Sequence, residues 1–236
     1  MQLLFRDDAY AKSCPATVAG VDERGIRLDR TVFYPMGGGQ LGDTGVLRLD
    51  DGSLVAIADT LKGAAPDEVI HVLAAGEATP AVGTAVTAEI DWARRYRLMR
   101  MHSCLHLLCA VITGHVTGGQ VGDGKGRLDF NLPDAKLDRA YVEAELNRLI
   151  AEDRAVRPRW ITDEELGAHP ELVRTMSVKP PTGQGRVRLL EIEGVDLQPC
   201  GGTNVKRTGE IGPIEVVKIE SKGKQNRRVN LALRNP

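Results

Sequence analysis

The chain has 236 residues, of which 42% are hydrophobic and 27% are charged; this composition supports one large or two modest packed domains and excludes a disordered chain. The formal net charge is −1 and aromatic residues make up 4%, which excludes nucleic-acid binding through a global positive field and argues against aromatic stacking as the main binding device. A nucleic-acid partner would therefore have to contact a local basic patch.

The N-terminal segment MQLLFRDDAY has no apolar run followed by a cleavage site. No stretch of the chain approaches the ~20 apolar residues that cross a bilayer. The spacing of the four cysteines suggests no disulfide framework. These features predict a soluble, reduced, cytoplasmic protein with no membrane partner, and they leave a monomer or a homodimer open.

Residues 1 to about 90 contain short apolar stretches divided by turn-forming residues, a pattern typical of the strands of a small β-barrel. Asp50-Asp51-Gly52-Ser53 predicts a hairpin turn between two of these strands. We place the strands at residues 17–18, 26–28, 31–34, 46–49, 54–57 and 84–90.

The hydrophobic period changes at Asp91, which we interpret as the N-cap of a helix. Apolar residues then recur every three or four positions until Gly114, as on one face of a helix. They are Leu98, Met101, Leu105, Leu108 and Ile112.

The rest of the chain predicts helices packed on an antiparallel sheet. Residues 117–126 are Gly-rich and are expected to form a loop; a second helix is expected from about Asp138 to Asp153, and Thr162 with Glu165 resembles a capping box. Strands are predicted at residues 156–161, at the edge of a sheet, and at 187–192, 214–219 and 228–233. The predicted fold class is thus α+β, with an N-terminal β-barrel (residues 1–90) followed by an α+β domain (91–236).

Three residues predict a metal site. His102 and His106 are four residues apart and so lie on one helix face, and Cys200 precedes Gly201-Gly202 in a turn that can bring the thiol to that face. Two imidazoles and a thiolate suit zinc, and three protein ligands leave an open position, as in catalytic sites. Each signal alone is weak, because helical histidines are often half-buried and a buried cysteine usually acts as a small hydrophobe. We expect Cys104 and Cys109 to be packing residues.

These segments resemble the AlaX alanyl-tRNA editing proteins, of the medium-length type, and the related editing domain of alanyl-tRNA synthetase. The resemblance covers nearly the whole chain. It is carried by residues 98–108 around His102-Ser103-Cys104-Leu105-His106, by the segments DLQPCGGTNV (196–205) and TGEIG (208–212), by Arg127-Leu128-Asp129-Phe130, and by FYPMGGGQ (33–40) with Asp43 and Gly45.

The resemblance implies a barrel of the kind found in translation factors, joined to an editing fold that is also appended to threonyl-tRNA synthetase. The implied activity is hydrolysis, in trans, of the ester that joins serine, or glycine as a second amino acid, to alanine tRNA. The family holds zinc with H-x-x-x-H and C-x-x-x-H, but here the last histidine is replaced by Asn204. Zinc could be held by His102, His106 and Cys200 alone, Asn204 could add a weak oxygen ligand, or the metal could be lost. We expect one zinc ion, bound less tightly than by four ligands.

Removal of serine but not alanine requires a group that hydrogen-bonds the extra hydroxyl. The candidates are Ser103, Thr117, Gln120 and Thr203, and the resemblance, which implies a polar selector in the loop after the zinc helix, favours Gln120. We therefore predict Gln120, Ser103 and Thr203 as catalytic-site residues. The alternative is that these side chains only cap helices and form turns.

For tRNA we predict contacts by the Gly-rich loop, against the alternative of an ordinary loop, and by Lys222, Lys224 and Arg227. For each of two basic runs, contact with RNA and an ordinary solvated face are equally open. The loop is Gly37, Gly38, Gly39 and Gln40, which we expect to reach towards the editing site or the tRNA end. The basic runs are Arg94, Arg95, Arg97 and Arg100, and Lys222, Lys224, Arg227 and Arg228.

Three functions follow from these patterns: a zinc-dependent deacylase of mischarged alanine tRNA, a metal-poor relative that binds tRNA or a synthetase without catalysis, and a metallohydrolase of another small ester or amide. A zincin-type protease is disfavoured, because Ser103 stands where the general-base glutamate of H-E-x-x-H would be.

Overall fold

The computed structural model describes residues 1–65, 67–133, 136–175 and 185–235. The chain divides into two compact units, Met1–Tyr96 and Arg97–Pro236. The division into a β-barrel domain (residues 1–90) and an editing domain (91–236) stays a prediction.

The first unit contains the strands β1 (Gln2–Leu3), β2 (Ser13–Asp22), β3 (Gly25–Leu28), β4 (Arg30–Thr31), β5 (Gly45–Leu49), β6 (Leu54–Lys62), β7 (Val69–Leu73) and β8 (Ala85–Ile90). Six of them form a closed antiparallel β-barrel with the strand order β2-β3-β7-β6-β5-β8. Apolar side chains alternate along these strands, so that Cys14, Ala16 and Val18 of β2 point into the core with Ile26 and Leu47. The α+β class and the barrel predicted from the sequence are confirmed.

Two details of the barrel differ from the prediction. The expected strand at residues 31–34 shortens to β4, because the Phe33 N–H bonds to the Thr31 hydroxyl and the Tyr34 N–H to the Asp43 carboxylate instead of joining a ladder. The second difference is β7, which the sequence analysis missed.

The strands of the second unit are β9 (His115–Val121), β10 (Lys125–Asn131), β11 (Val156–Thr162), β12 (Arg186–Ile192), β13 (Asp196–Pro199), β14 (Ile214–Lys222) and β15 (Asn226–Leu233). They form two antiparallel sheets, one ordered β14-β15-β10-β9 and one ordered β11-β12-β13. The helices are α1 (Trp92–Val111), which begins in the first unit, α2 (Arg139–Ala151) and α3 (Asp163–Ala168).

The helix signals in the sequence are confirmed. The Asp91 carboxylate accepts the Arg94 N–H at 3.0 Å, Asp138 caps α2 through its side chain, and Thr162 with Glu165 forms a capping box. Helix α1 ends at Val111, before the expected Gly114. Among the described residues, no helix has the length and apolarity needed to cross a membrane.

The expected loop at residues 117–126 is wrong, because β9 and β10 form a hairpin there. The glycines mark close packing rather than irregular chain. A Cβ at Gly119 would lie 2.8 Å from Leu128 Cδ2, and one at Gly126 would lie 2.7 Å from Met101 Sδ on α1. Glycine therefore lets the hairpin approach its neighbours closely.

Candidate metal centre

The two histidines on α1 face the same direction, as their spacing predicts. The rings of His102 and His106 are stacked, with centroids 5.1 Å apart and planes inclined by 17°. His106 is only 7% exposed, whereas His102 is partly exposed. One imidazole of the pair therefore lies inside the protein, and the other lies nearer the protein surface.

Cys200 follows the last residue of β13 and is held there by β12. The Cys200 N–H donates to the Arg188 carbonyl at 3.1 Å, and Arg188 Nη1 donates to the carbonyls of Cys200 (2.8 Å) and Gly202 (3.3 Å). Charge-assisted bonds of this kind are stronger than neutral ones. The guanidinium of Arg188 thus fixes the glycine turn that carries the thiol, a role that the sequence analysis missed.

Ser103 ties the same turn to α1. Its hydroxyl, which is fully buried, accepts the Val205 N–H at 3.1 Å. This bond joins the two segments, and the part of Ser103 in amino-acid selection stays a prediction. Thr203 is also fully buried, and its part in amino-acid selection stays a prediction.

The thiol and the two imidazoles meet at one point. Cys200 Sγ lies 3.7 Å from His102 Nε2, and the candidate ligand atoms of His102, His106 and Cys200 all lie within 4.8 Å of one another. The predicted convergence of segments almost a hundred residues apart in sequence is confirmed.

Electrostatics favours the ionised thiol. Burial alone would raise the pKa of Cys200, but the positive charges of His102 and His106 outweigh it and hold this pKa well below its usual value. Burial lowers the pKa of His106, and the negative charge of Cys200 reverses that effect and raises it. A thiolate is the form of cysteine that binds metals.

The other cysteines near the site are different. Burial raises the pKa of both Cys104 and Cys109 to about 12, so these side chains stay neutral thiols. Neither cysteine forms a disulfide, and both are buried in the protein, in agreement with the packing role expected for them.

Asn204 lies beside the cluster and is 6% exposed. Its Oδ1 lies 3.4 Å from Cys200 Sγ, while Asn204 Nδ2 and His106 Nε2 have no hydrogen-bond partner among the described residues. A buried polar atom left unpaired costs about 1–3 kcal/mol. An unpaired imidazole nitrogen next to a depressed-pKa thiol fits a bound metal ion, and the nitrogen and sulfur donors suit zinc.

Two candidate selector residues lie on the β9–β10 hairpin and not in the cluster of ligand atoms. Gln120 is exposed on β9 and accepts a bond from Arg127 Nε at 3.4 Å. The Thr117 hydroxyl donates to the Asp129 carbonyl or to Asn226 Oδ1, each at 3.2 Å. Selection by Gln120 stays a prediction.

The Gly-rich loop of the first unit is a tight turn. Gly37 and Gln40 exchange two backbone hydrogen bonds of 3.0 Å, and Gly38 and Gly39 adopt positive φ values of 58° and 82°. Gly38 and Gly39 are exposed, but the Gln40 side chain is fully buried. A tRNA contact by Gln40 is therefore not supported, because its side chain faces the protein interior.

The first basic run is committed to intramolecular contacts. Arg95 is fully buried and pairs with Asp43, which excludes both alternatives left open for it, a solvated cation and a contact with RNA. Arg97 forms a two-point ion pair with Asp123, and Arg100 donates to the Ile211 carbonyl at 2.9 Å.

The second basic run is more accessible. Lys224 is exposed at the turn between β14 and β15, Lys222 pairs with Glu220 at 3.3 Å, and Arg227 is partly buried. Arg228 makes two bonds of 2.7 Å to Asp129 and is not free to bind phosphate. Lys224 is thus the best placed of these four cations for a tRNA contact.

Comparison with known proteins adds independent findings. Residues 187–230 match the family described as "Threonyl and Alanyl tRNA synthetase second additional domain", and residues 7–94 match "tRNA synthetases class II (A)". The chain is 38% identical to the alanyl-tRNA editing protein AlaX-M of Methanosarcina mazei, over 98% of this chain and 96% of the relative. It is 36% identical to AlaX-M of Methanosarcina acetivorans, over 98% of each. A match to alanine–tRNA ligase of Sulfurisphaera tokodaii, at 35% identity, covers 92% of this chain and 24% of the ligase.

Proposed function

Because the chain belongs to the AlaX family of alanyl-tRNA editing proteins, we propose that it hydrolyses, in trans, the ester that joins serine to alanine tRNA, with glycine as a second amino acid. The proposal rests on the convergence of His102, His106 and Cys200 at one point of the editing unit. Editing of a tRNA requires only that an activated ester meets an aligned water and a stabilised oxyanion.

The proposed cofactor is one zinc ion per chain, which His102, His106 and Cys200 would hold; the Asn204 amide lies next to the Cys200 sulfur. When bound, zinc supplies a positive charge and Lewis acidity next to the ester. Arg188 and Ser103 orient the turn that carries the thiol, and the burial of His106 and Cys200 excludes water from the protein side of the site. The partly exposed His102 marks the side from which the substrate approaches.

Thr203 and Gln120 are proposed as the groups that distinguish serine from alanine. A site that hydrogen-bonds a substrate hydroxyl rejects the analogue lacking it by roughly 10⁴-fold, because its own polar groups are then left unpaired. The tRNA itself is held by Lys222, Lys224, Arg227 and the turn Gly37-Gly38-Gly39. We place this activity in the cytoplasm.

The test is the loss of the ester from alanine tRNA charged with serine, glycine or alanine. We expect rapid loss of the serine ester and loss of the alanine ester at least ~10³-fold more slowly. Binding of all three tRNAs without ester loss would instead support a metal-poor binding protein, an alternative that Asn204 at the fourth ligand position keeps open. If the protein neither hydrolyses nor binds these charged tRNAs, the result would favour the third function, hydrolysis of another small ester or amide.

A pair of cysteine variants tests the metal. We expect C200S to lose zinc and at least ~10²-fold in serine-ester hydrolysis, since one of the three ligands is replaced. The matched control C104A removes a buried neutral thiol of the same unit and should keep both zinc and activity. Elemental analysis of each protein, purified without chelator, measures its zinc content. Wild-type protein without metal would contradict the proposed cofactor.

A further inference from the structure

Strand β11 carries an exposed aromatic side chain that neither the metal centre nor the predicted basic runs include. Trp160 is 45% exposed, although the chain has only two tryptophans and 4% aromatic residues. The guanidinium of Arg186, on β12, lies over its ring at 4.6 Å from the centroid. An exposed tryptophan beside a cation is a common device for binding an unpaired nucleobase.

The sheet connects this tryptophan to the metal centre. Trp160 is the cross-strand partner of Arg188, whose carbonyl accepts the N–H of Cys200. Trp160 and Arg188 are paired across the two strands and so point to the same face of the sheet, and Cys200 directly follows β13, one backbone hydrogen bond from Arg188. About two strand spacings, roughly 10 Å, separate the backbones of Trp160 and Cys200.

We propose that Trp160 and Arg186 form the surface on which the 3′-terminal nucleobase of tRNA stacks while its aminoacyl ester lies at the metal centre. This inference rests on the proposed function and names how the tRNA end is recognised. About 10 Å is within the reach of one nucleotide, from its base to an ester on its ribose. The Arg186 guanidinium, which has no ion pair among the described residues, is placed to attract the adjacent phosphate.

The same edge is unsuited to a protein strand. Pro158 lacks an N–H in the middle of β11, and Arg157 and Arg159 flank it, all three being exposed. Proline and charged residues are the usual features that prevent an edge strand from pairing with another chain. A flat base on the tryptophan ring needs no such pairing, so the chemistry of this edge favours a nucleotide.

The kinetic test uses alanine tRNA charged with serine under single-turnover conditions. We expect W160A to raise the half-saturating concentration about 5- to 100-fold, with the maximal rate within ~3-fold of wild type, because stacking on one aromatic ring stabilises the bound base by this amount. W160F keeps an aromatic ring, so its half-saturating concentration should stay within ~3-fold of the wild-type value. The control Y141A removes another exposed aromatic residue, 60% exposed on α2, and should have no effect.

The binding test uses the fluorescence of Trp160 in a W92F background, where it is the one remaining tryptophan. The probe is an uncharged RNA hairpin that mimics the acceptor stem and ends in unpaired CCA, with a blunt hairpin as its control. We expect the CCA hairpin to reach half-maximal quenching of the fluorescence at a concentration at least ~5-fold lower than the blunt hairpin needs. This measurement does not depend on hydrolysis or on W160A folding correctly.

The outcomes separate the two proposals. The stacking surface is overturned if both hairpins quench equally, or if W160A keeps its zinc and the wild-type half-saturating concentration. Either result counts even if the serine ester of alanine tRNA is hydrolysed. A wild-type protein that is quenched by the CCA hairpin but hydrolyses no ester overturns the proposed reaction and leaves the stacking surface in place. An equal loss of affinity in Y141A also contradicts a specific role for Trp160.

Discussion

Asn204 is the residue at which the metal centre departs from the family pattern. Its amide is buried beside Cys200, and its Nδ2 has no hydrogen-bond partner within the part of the chain that the structure describes. Because a neutral amide oxygen is a poorer zinc ligand than an imidazole nitrogen, we expect N204H to bind zinc at least ~10-fold more tightly than wild type. Competition with a chromophoric chelator at fixed pH measures the change.

N204A shows what the natural amide does. If Asn204 ligates the metal, N204A should weaken zinc binding, and if only His102, His106 and Cys200 hold the ion, N204A should bind as wild type does. Zinc affinity that is equal in N204H and wild type would show that position 204 does not reach the ion, contrary to our expectation.

The candidate ligands could be predicted from the sequence because their signals are local. The spacing of His102 and His106 fixes a shared helix face, and two glycines mark the turn at Cys200. The roles of Arg188 and Ser103 could not be predicted, since each contacts a carbonyl or an N–H that only the tertiary fold brings near. The same holds for Arg95, which looked like a surface cation and is buried against Asp43.

A buried histidine in the barrel makes the first unit sensitive to acid. His71 Nδ1 bonds to the Ile26 carbonyl at 3.1 Å and Nε2 to the Thr31 hydroxyl at 2.8 Å, with the Phe33 ring packed edge-on. A carbonyl only accepts, so Nδ1 carries a proton, and in the neutral ring Nε2 accepts from the Thr31 hydroxyl. Burial lowers the pKa of His71 to about 4, and the Ile26 carbonyl opposes this only in part.

The sign of the pH effect follows from this shift. The folded pKa lies below the unfolded one, so below pH ~6.5 the unfolded chain binds a proton that the folded chain does not, and stability falls until pH ~4. We expect a loss on the order of 2 kcal/mol between pH 7.5 and pH 5. Urea unfolding of wild type and H71Q at both pH values measures it; a wild type with no greater acid sensitivity than H71Q would contradict the assignment.

At the scale of elements, the start of α1 is anchored by a buried ion pair. Arg95 donates through Nε to the Asp43 carboxylate at 2.9 Å and through its other nitrogens to the carbonyls of Ala9 and Val32. Both charged side chains are almost completely buried. These bonds join the helix to three segments of the first unit.

We expect R95M to destabilise the protein by about 3–5 kcal/mol, because the change leaves the Asp43 carboxylate buried without its partner. The free energy of unfolding from urea titration measures the loss. The control R97M breaks an ion pair with Asp123 whose side chains are 28% and 40% exposed, and it should cost no more than ~1 kcal/mol. Similar losses in R95M and R97M would contradict the anchoring role.

The elements that could be predicted have a local periodic pattern. Helix α2 shows it most clearly, with Asp138 as the cap and Val142, Leu146 and Leu149 on the buried face. The β9–β10 hairpin could not be predicted, because its glycines suggest a loop until the close approach of Leu128 and Met101 explains them. Close tertiary packing thus overrides the local preference of glycine for irregular structure.

At the scale of the whole molecule, a net charge of −1 leaves tRNA binding to local cations. Ion pairs inside the protein neutralise at least four of the eight basic residues that the sequence singles out, namely Arg95, Arg97, Lys222 and Arg228. Lys224, at the turn of the β14–β15 hairpin, is exposed. A small number of phosphate contacts therefore predicts a modest dependence of binding on salt.

We expect K224A to bind alanine tRNA more weakly at low salt and to reduce the slope of log K against log salt concentration by about 0.7–0.9, the value for one lost phosphate contact. Filter binding or fluorescence anisotropy over a range of salt concentrations gives the slope. The matched control is K218A on the same hairpin, because Lys218 already pairs with Glu220 at 3.4 Å and releases fewer counterions. If K224A keeps the wild-type slope, or if K218A changes it equally, the phosphates are held elsewhere and the hairpin turn is not part of the tRNA contact.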